Sequence, residues 1–455
     1  MKPIITFFIS LVFATSVCGQ VSDSAWIARV YDHVLTKGVA YEDLRTLCKG
    51  IGHRLAGSES AQKAVDWGLL TLLNAGADRV FAMPVEVPHW TRGNVNVASA
   101  TTSRGDTALA ITALGGSVGT NGPLRAEVIE VKSLEELAEL GREKIEGKIV
   151  FFNKAMDAAL INTGAAYGGA FPIRSKGPSE AARFGAVACI IRSLTLADDN
   201  FPHTGATQYE EDVRRIPAAA LSAVASRQLS ALLKTDPHLK FTLEMNCEAF
   251  PRVMQGNVIG EITGSVYPDE YIVIGGHLDS WDIGEGAHDD GTGIVQSIEV
   301  LRCLKAIGYR PQRTIRVVLF INEEFGNDGG ITYAKVAMES GWKHLAAIES
   351  DGGGFTPLGF NCELTDAQFE HTRPWLTKLE PYNLFKIRQG GSGVDIRPLK
   401  DGKVGLFGLS VDGQKYFDYH HTNNDRFENV NRRELHLGAA AMTALTVLLD
   451  MHGLE

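Results

Sequence analysis

No Cys-x-x-Cys pair occurs in the 455-residue chain, and its six cysteines lie far apart. That spacing argues against a metal held by thiolates. The chain has no run of lysine and arginine, and acidic residues outnumber basic ones to leave a formal net charge of -10. Nucleic acid is therefore not an expected partner, because its binding rewards clustered cations. Asn-x-Ser/Thr sequons are missing, which leans towards a bacterial envelope and away from an animal secretory route. Beyond the first 19 residues no apolar run approaches membrane-spanning length, so no membrane contact is expected once a leader is removed. No internal repeat or low-complexity tract is visible.

What is present is ordinary for a globular protein: 44% hydrophobic and 22% charged residues, with 48 glycines for turns and close backbone approaches. At about 100–200 residues per domain, the length predicts two or three units. Lys2, the apolar stretch 4–17 and the small residues Ser16 and Gly19 read as an export signal over 1–19, which makes the mature protein secreted or periplasmic. Cys18 follows Val17, which is too bulky for the usual lipoprotein signal, and leaves with the leader. Cys48, Cys189, Cys247, Cys303 and Cys362 remain, an odd set for which a disulfide is permitted but no pairing is assigned.

Helical periodicity covers 24–47 and 61–73, the second with Ser58 or Ser60 as N-cap, and 79–87 alternates as a strand. Short apolar strands at 127–131, 148–153 and 186–191 alternate with helices at 134–140, 179–184 and 227–233 and a polar loop at 202–217. Together they suggest a separate small α/β unit over 98–246. Further on come strand 271–274, helix 293–307 and strands 314–320 and 345–349. This alternation predicts an α/β fold built on a mostly parallel mixed sheet flanked by helices. Ligands bind such sheets at the carboxyl ends of the strands.

Polar residues are found at those ends. His277 and Asp279 follow the first of these strands, and Asp289 follows in Gly286-Ala287-His288-Asp289-Asp290-Gly291. Asn322-Glu323-Glu324 follows the next strand, Asp351 the third, and His420-His421 comes late in the chain. Imidazole and carboxylate without thiolate suit a hard to borderline metal. The set is too large for one tetrahedral catalytic zinc and suits a two-metal centre. Gly115-Gly116-Ser117-Val118-Gly119 has the spacing of a nucleophile elbow, but Thr120-Asn121-Gly122-Pro123 follows where a helix is required.

The chain resembles the co-catalytic di-zinc exopeptidases that include bacterial aminopeptidases and glutamate carboxypeptidases, and among them the carboxypeptidase Q group. The resemblance rests on Pro88-His89-Trp90-Thr91-Arg92-Gly93, on 276–291, on Glu349-Ser350-Asp351 and on His420-His421, and spans nearly all of the mature chain. It implies a zinc exopeptidase fold in which 20–97 and 247–455 form the catalytic domain. Residues 98–246 would be an inserted protease-associated domain that shapes the substrate entrance. It also implies two Zn2+ per chain, with His277 and Asp351 on one, Glu324 and His421 on the other, and Asp289 bridging. Glu323 would be general base and acid, and Asp279 would orient His277. A homodimer hydrolysing dipeptides or short peptides through a metal-bridging hydroxide follows from the same likeness. His420 replaces a tyrosine of the wider aminopeptidase pattern and is either an oxyanion donor or a packed neighbour. The loop 390–395 resembles a substrate-proximal loop, with Asp395 in a supporting role. The alternatives are an aminopeptidase on longer peptides, a one-zinc glutaminyl cyclase, and a non-catalytic receptor on the same fold.

Overall fold

The computed structural model describes residues 22–454, so the expected leader 1–19 lies outside the described residues. Two eight-stranded sheets flanked by helices organise the chain. The first runs in the order Arg79–Thr91, Glu248–Ile262, Arg313–Phe320, Tyr267–His277, Lys343–Glu349, Gly405–Val411, Pro357–Glu363, Lys386–Gln389. The four strands from Arg313–Phe320 to Gly405–Val411 are parallel. Alternation along these strands sets the layers. Ile272, Ile274, Val317, Leu319 and Ile348 enter a core shared with the helices Glu59–Asn74, Thr292–Ala306 and Arg432–His452. Val273, Val318, Phe320 and Ala347 enter the opposite core, with Tyr333 and Ala337 of the helix Asp328–Ser340.

One apolar stretch of the chain, the helix Arg432–His452, is of membrane-spanning length. By length and composition it would cross a membrane. It is instead a core helix, buried from Leu435 and His436 to Leu449 and Asp450, and capped by Asn431, whose side chain accepts from the Arg433 and Glu434 N–H groups. Cys48, Cys189, Cys247, Cys303 and Cys362 are all buried free thiols.

The second sheet lies within 96–245, in the order Gly105–Leu109, Asn96–Thr102, Lys240–Met245, Leu124–Val131, Ile149–Phe152, Ala188–Arg192, Ala218–Leu221, Ile111–Ala113. It begins before residue 98 because Asn96 already pairs with Met245. Its cores are not closed on themselves. Trp90 and Trp281 complete the cluster around Phe151 and Phe241, and Phe417 completes the one around Phe152 and Ile191. The start of the polar loop 202–217 is also drawn inside, with His203 and Thr204 only 2% and 1% exposed.

Candidate metal centre

The carboxyl ends of the parallel strands bring the expected residues together. Tyr267–His277 ends in His277, and Asp351 lies just past Lys343–Glu349. Gly276 permits this crowding: a Cβ there would lie 2.3 Å from Asp290 Oδ2. That oxygen accepts the His277 N–H at 3.1 Å, and Asp290 Oδ1 accepts the Gly293 N–H at 3.0 Å. Asp290 lies close enough to His277 and Asp351 to share a metal with them. Both of its oxygens are already committed to backbone, so we assign it to holding the strand end.

The five proposed ligands form two triads that share Asp289. His277 Nε2 is 3.1 Å from Asp289 Oδ1 and 3.4 Å from Asp351 Oδ1. His421 Nε2 is 3.3 Å from Asp289 Oδ2 and 3.1 Å from Glu324 Oε2. Ligands about 2.0 Å from a tetrahedral zinc stand about 3.3 Å apart, so the two histidine–carboxylate edges of each triad match such a site. Asp289 Oδ2, Glu324 Oε1 and Asp351 Oδ1 are buried without a hydrogen-bond partner. Unpaired buried carboxylate oxygens are costly unless a cation meets them.

The histidine tautomers point the same way. The Nδ1 of His277 donates to the Asp279 carbonyl at 3.0 Å, and the Nδ1 of His421 to the Thr204 carbonyl at 3.3 Å. Each Nε2 therefore faces carboxylates, an arrangement that needs positive charge between them, from a proton or from a metal ion. Burial alone would depress both imidazoles. The carboxylates overcome it, raising His277 well above its ordinary value and His421 to about 9. Burial likewise works to raise Asp289, but its bonds to His277 and His421 hold it well below the usual carboxylate range.

Glu323 and Glu324 do not continue the strand Arg313–Phe320. Asn322 takes a positive φ of 68°, and the pair sits on a turn. The Asp279 carboxylate holds this turn, accepting the Glu323 N–H at 3.0 Å and the Glu324 N–H at 3.3 Å. Asp279 meets His277 Nδ1 through its main-chain carbonyl, with its carboxylate 3.7 Å from the same nitrogen. Glu324 reaches His421, whereas the Glu323 carboxyl is pushed well above its ordinary value by burial and then by Asp351 and Glu324. His420 stacks on His421 with ring centroids 3.5 Å apart, and its Nε2 is 3.8 Å from Asp289 Oδ2. Burial, then the charge of His421, holds it well below the usual imidazole range.

Several further residues support the centre, and of these Arg54, Asp425 and Thr204 carried no sequence signal. Arg54 is fully buried and donates to the carbonyls of Gly52, Leu278, Glu285 and Gly286, fixing the loop between His277 and Asp289. Asp425 accepts the N–H groups of His288 at 2.7 Å and Asp289 at 3.1 Å. Glu349 accepts from Val394 and Ile396, tying down the loop 390–395, in which Asp395 is buried with both carboxylate oxygens unpartnered. From the second sheet's unit, the Thr204 N–H donates to the His421 carbonyl at 2.9 Å, and His203 Nδ1 to that of His420 at 2.7 Å.

Residues 257–446 match the family model described as peptidase family M28. Carboxypeptidase Q of Bos taurus is 32% identical over 433 residues, covering 95% of this chain and 89% of the relative. Carboxypeptidase Q of Xenopus laevis is 34% identical, covering 92% and 87%. Among solved structures, a peptidase M28 precursor from Shewanella amazonensis superposes with a TM-score of 0.89 at 34% identity, covering 94% of this chain and 96% of that one. A zinc aminopeptidase from Bacillus subtilis shares the fold, with a TM-score of 0.65 at 19% identity over 90% and 94%.

Proposed function

Since the chain belongs to peptidase family M28 and is a zinc-dependent exopeptidase with a two-zinc centre, we propose that it is an exported enzyme that hydrolyses dipeptides or short peptides. The observation that carries this reading is the shared carboxylate of Asp289, one oxygen facing His277 and the other His421. His277 and Asp351 would hold one zinc, His421 and Glu324 the other, and Asp289 both. When bound, the metals supply Lewis-acid polarisation of water and of the peptide carbonyl.

The chain's own residues supply the proton transfers and the alignment. Glu323 takes a proton from the attacking water at a carboxylate oxygen and delivers it to the leaving amine nitrogen. Asp279 keeps Glu323 and Glu324 at fixed positions through their N–H groups. His420, neutral beside His421, offers an N–H to the oxyanion. The unit over 98–246 is read as an inserted protease-associated domain at the substrate entrance, and the enzyme as a homodimer.

The test is zinc content beside turnover of a dipeptide and its N-acetylated form. Chelation should abolish activity, and zinc or cobalt should restore it. A metal-free protein with full activity would end the reading, and a strict need for the free amine would favour an aminopeptidase.

A further inference from the structure

Beside Asp351 opens a cavity of about 740 Å³ whose floor is one row of the first sheet. The row follows from register: Glu349 pairs with Gly408, Gly408 with Asn361, and Asn361 with Arg388. Residues paired in this way present their side chains to the same face of a sheet. All four line the cavity, as do Asp351 and Lys386. Ile387, between the two cations, points the other way into the helix-covered core. Lys386 and Arg388 therefore stand together on the cavity face of the strand Lys386–Gln389.

Their charge is uncommitted. Neither takes part in an ion pair among the described residues, although the chain carries a net charge of -10. The acids that share the cavity are engaged elsewhere. Glu349 accepts from Val394 and Ile396, Asp412 accepts from Gln414, and Asp351 faces His277. Three inter-strand steps of about 4.8 Å put the Arg388 backbone about 14 Å from that of Glu349, at the metal end. An extended arginine side chain spans about half of that gap. The remaining ~7 Å is filled by one extended residue, about 3.5 Å, and a hydrogen bond of about 2.9 Å to its carboxylate.

We propose that Lys386 and Arg388 receive the free C-terminal carboxylate of the substrate, one residue beyond the bond that is cut. The proposal rests on the peptidase reading above and gives that reading its specificity: a carboxylate one residue from the reacting carbonyl selects dipeptides and carboxypeptidase-type cleavage over long chains. Arg388 is suited to the part because a guanidinium can grip a carboxylate with two parallel hydrogen bonds. Charged residues on an edge strand also discourage sheet-to-sheet association. That role alone predicts no influence on substrate choice.

The experiment uses the full zinc-loaded enzyme with a dipeptide and its C-terminal amide. The readout is the ratio of kcat/KM for the acid to that for the amide. Wild type should favour the acid. Arg388→Gln should lower the ratio by about tenfold, the lower end for a hydrogen bond to a charged group, and mainly through KM for the acid. Arg388→Lys should recover part of it, and Lys386→Gln should act in the same direction. Equal use of acid and amide by wild type, or an unchanged ratio in both glutamine variants, overturns the proposal while leaving the peptidase reading in place. Cleavage of neither compound by zinc-loaded protein overturns the peptidase reading and this proposal with it.

Discussion

The Asp279 carboxylate accepts the main-chain N–H of Glu323 at 3.0 Å and so fixes the residue proposed to move the proton, although 44 positions separate the two in sequence. Its second oxygen holds Glu324, so one side chain sets both the base and a ligand. Asp279→Asn keeps one acceptor but turns an NH2 towards the other N–H. Partners of this kind typically account for about 10- to 100-fold in metal affinity or activity. A loss of that size is expected, read as kcat beside zinc content. Wild-type values for both would remove Asp279 from this role.

The two adjacent glutamates should separate cleanly. Glu323→Gln should retain two zincs and lose about a hundred- to ten-thousandfold in kcat, the usual contribution of general acid–base catalysis. Glu324→Ala should lose zinc as well as activity, since its Oε2 is 3.1 Å from His421. Zinc stoichiometry measured beside kcat on each purified variant checks this, and exchanged phenotypes would reverse the assignment.

Thr204 ties the second sheet's unit to the His421 side of the centre. Its hydroxyl donates to the Ala113 carbonyl at 2.8 Å, and its carbonyl receives the His421 Nδ1–H. Thr204→Val removes that hydroxyl, leaves Arg92 as the remaining side-chain donor to the Ala113 carbonyl, and loosens the segment that aims His421. About a tenfold or greater loss of affinity for one zinc is expected, with the other retained. Competition with a chelator of known affinity would show two release steps where wild type shows tighter retention. Simultaneous loss of both metals would argue against a local effect.

His344 gives a pH prediction remote from the metals. Arg316 donates to the Tyr333 hydroxyl at 3.0 Å, so that hydroxyl turns its proton towards His344 Nε2 at 2.9 Å and needs the imidazole neutral. Burial, with the charge of Arg316, pushes the His344 pKa down to about 4. The unfolded chain takes up a proton near pH 6.5 that the folded chain refuses, so stability is lost as pH falls from about 6.5 towards 4. By pH 5 this amounts to about 2 kcal/mol. His344→Gln should reduce the loss of unfolding free energy between pH 7 and pH 5 by about that amount in denaturant titrations, and parallel pH profiles would refute it.

Three of the proposed ligands, His277, Glu324 and Asp351, stood out in the sequence because they follow strands whose apolar runs are plain, as with Val317-Val318-Leu319-Phe320 before Glu323 and Glu324. Strand alternation cannot separate Glu323 from Glu324, because Asn322 breaks the strand before them. Arg54, Asp425 and Thr204 were invisible because each acts on backbone atoms far away in sequence, and no periodicity marks such a contact. The strand Glu248–Ile262 went unread, since its first half is largely exposed and lacks an apolar run. The polar composition of 202–217 concealed that its first residues are buried, with hydrogen bonds taking the place of apolar packing.

His421 follows every other proposed ligand in chain order, and the carbonyl that orients it belongs to Thr204, in a unit made much earlier. During synthesis the early strands can form while the centre still lacks its last imidazole. A nascent chain therefore carries an incomplete hydrolytic apparatus until almost the whole polypeptide has emerged and its two units have docked. Timing of assembly would by itself keep the enzyme silent while it is being made.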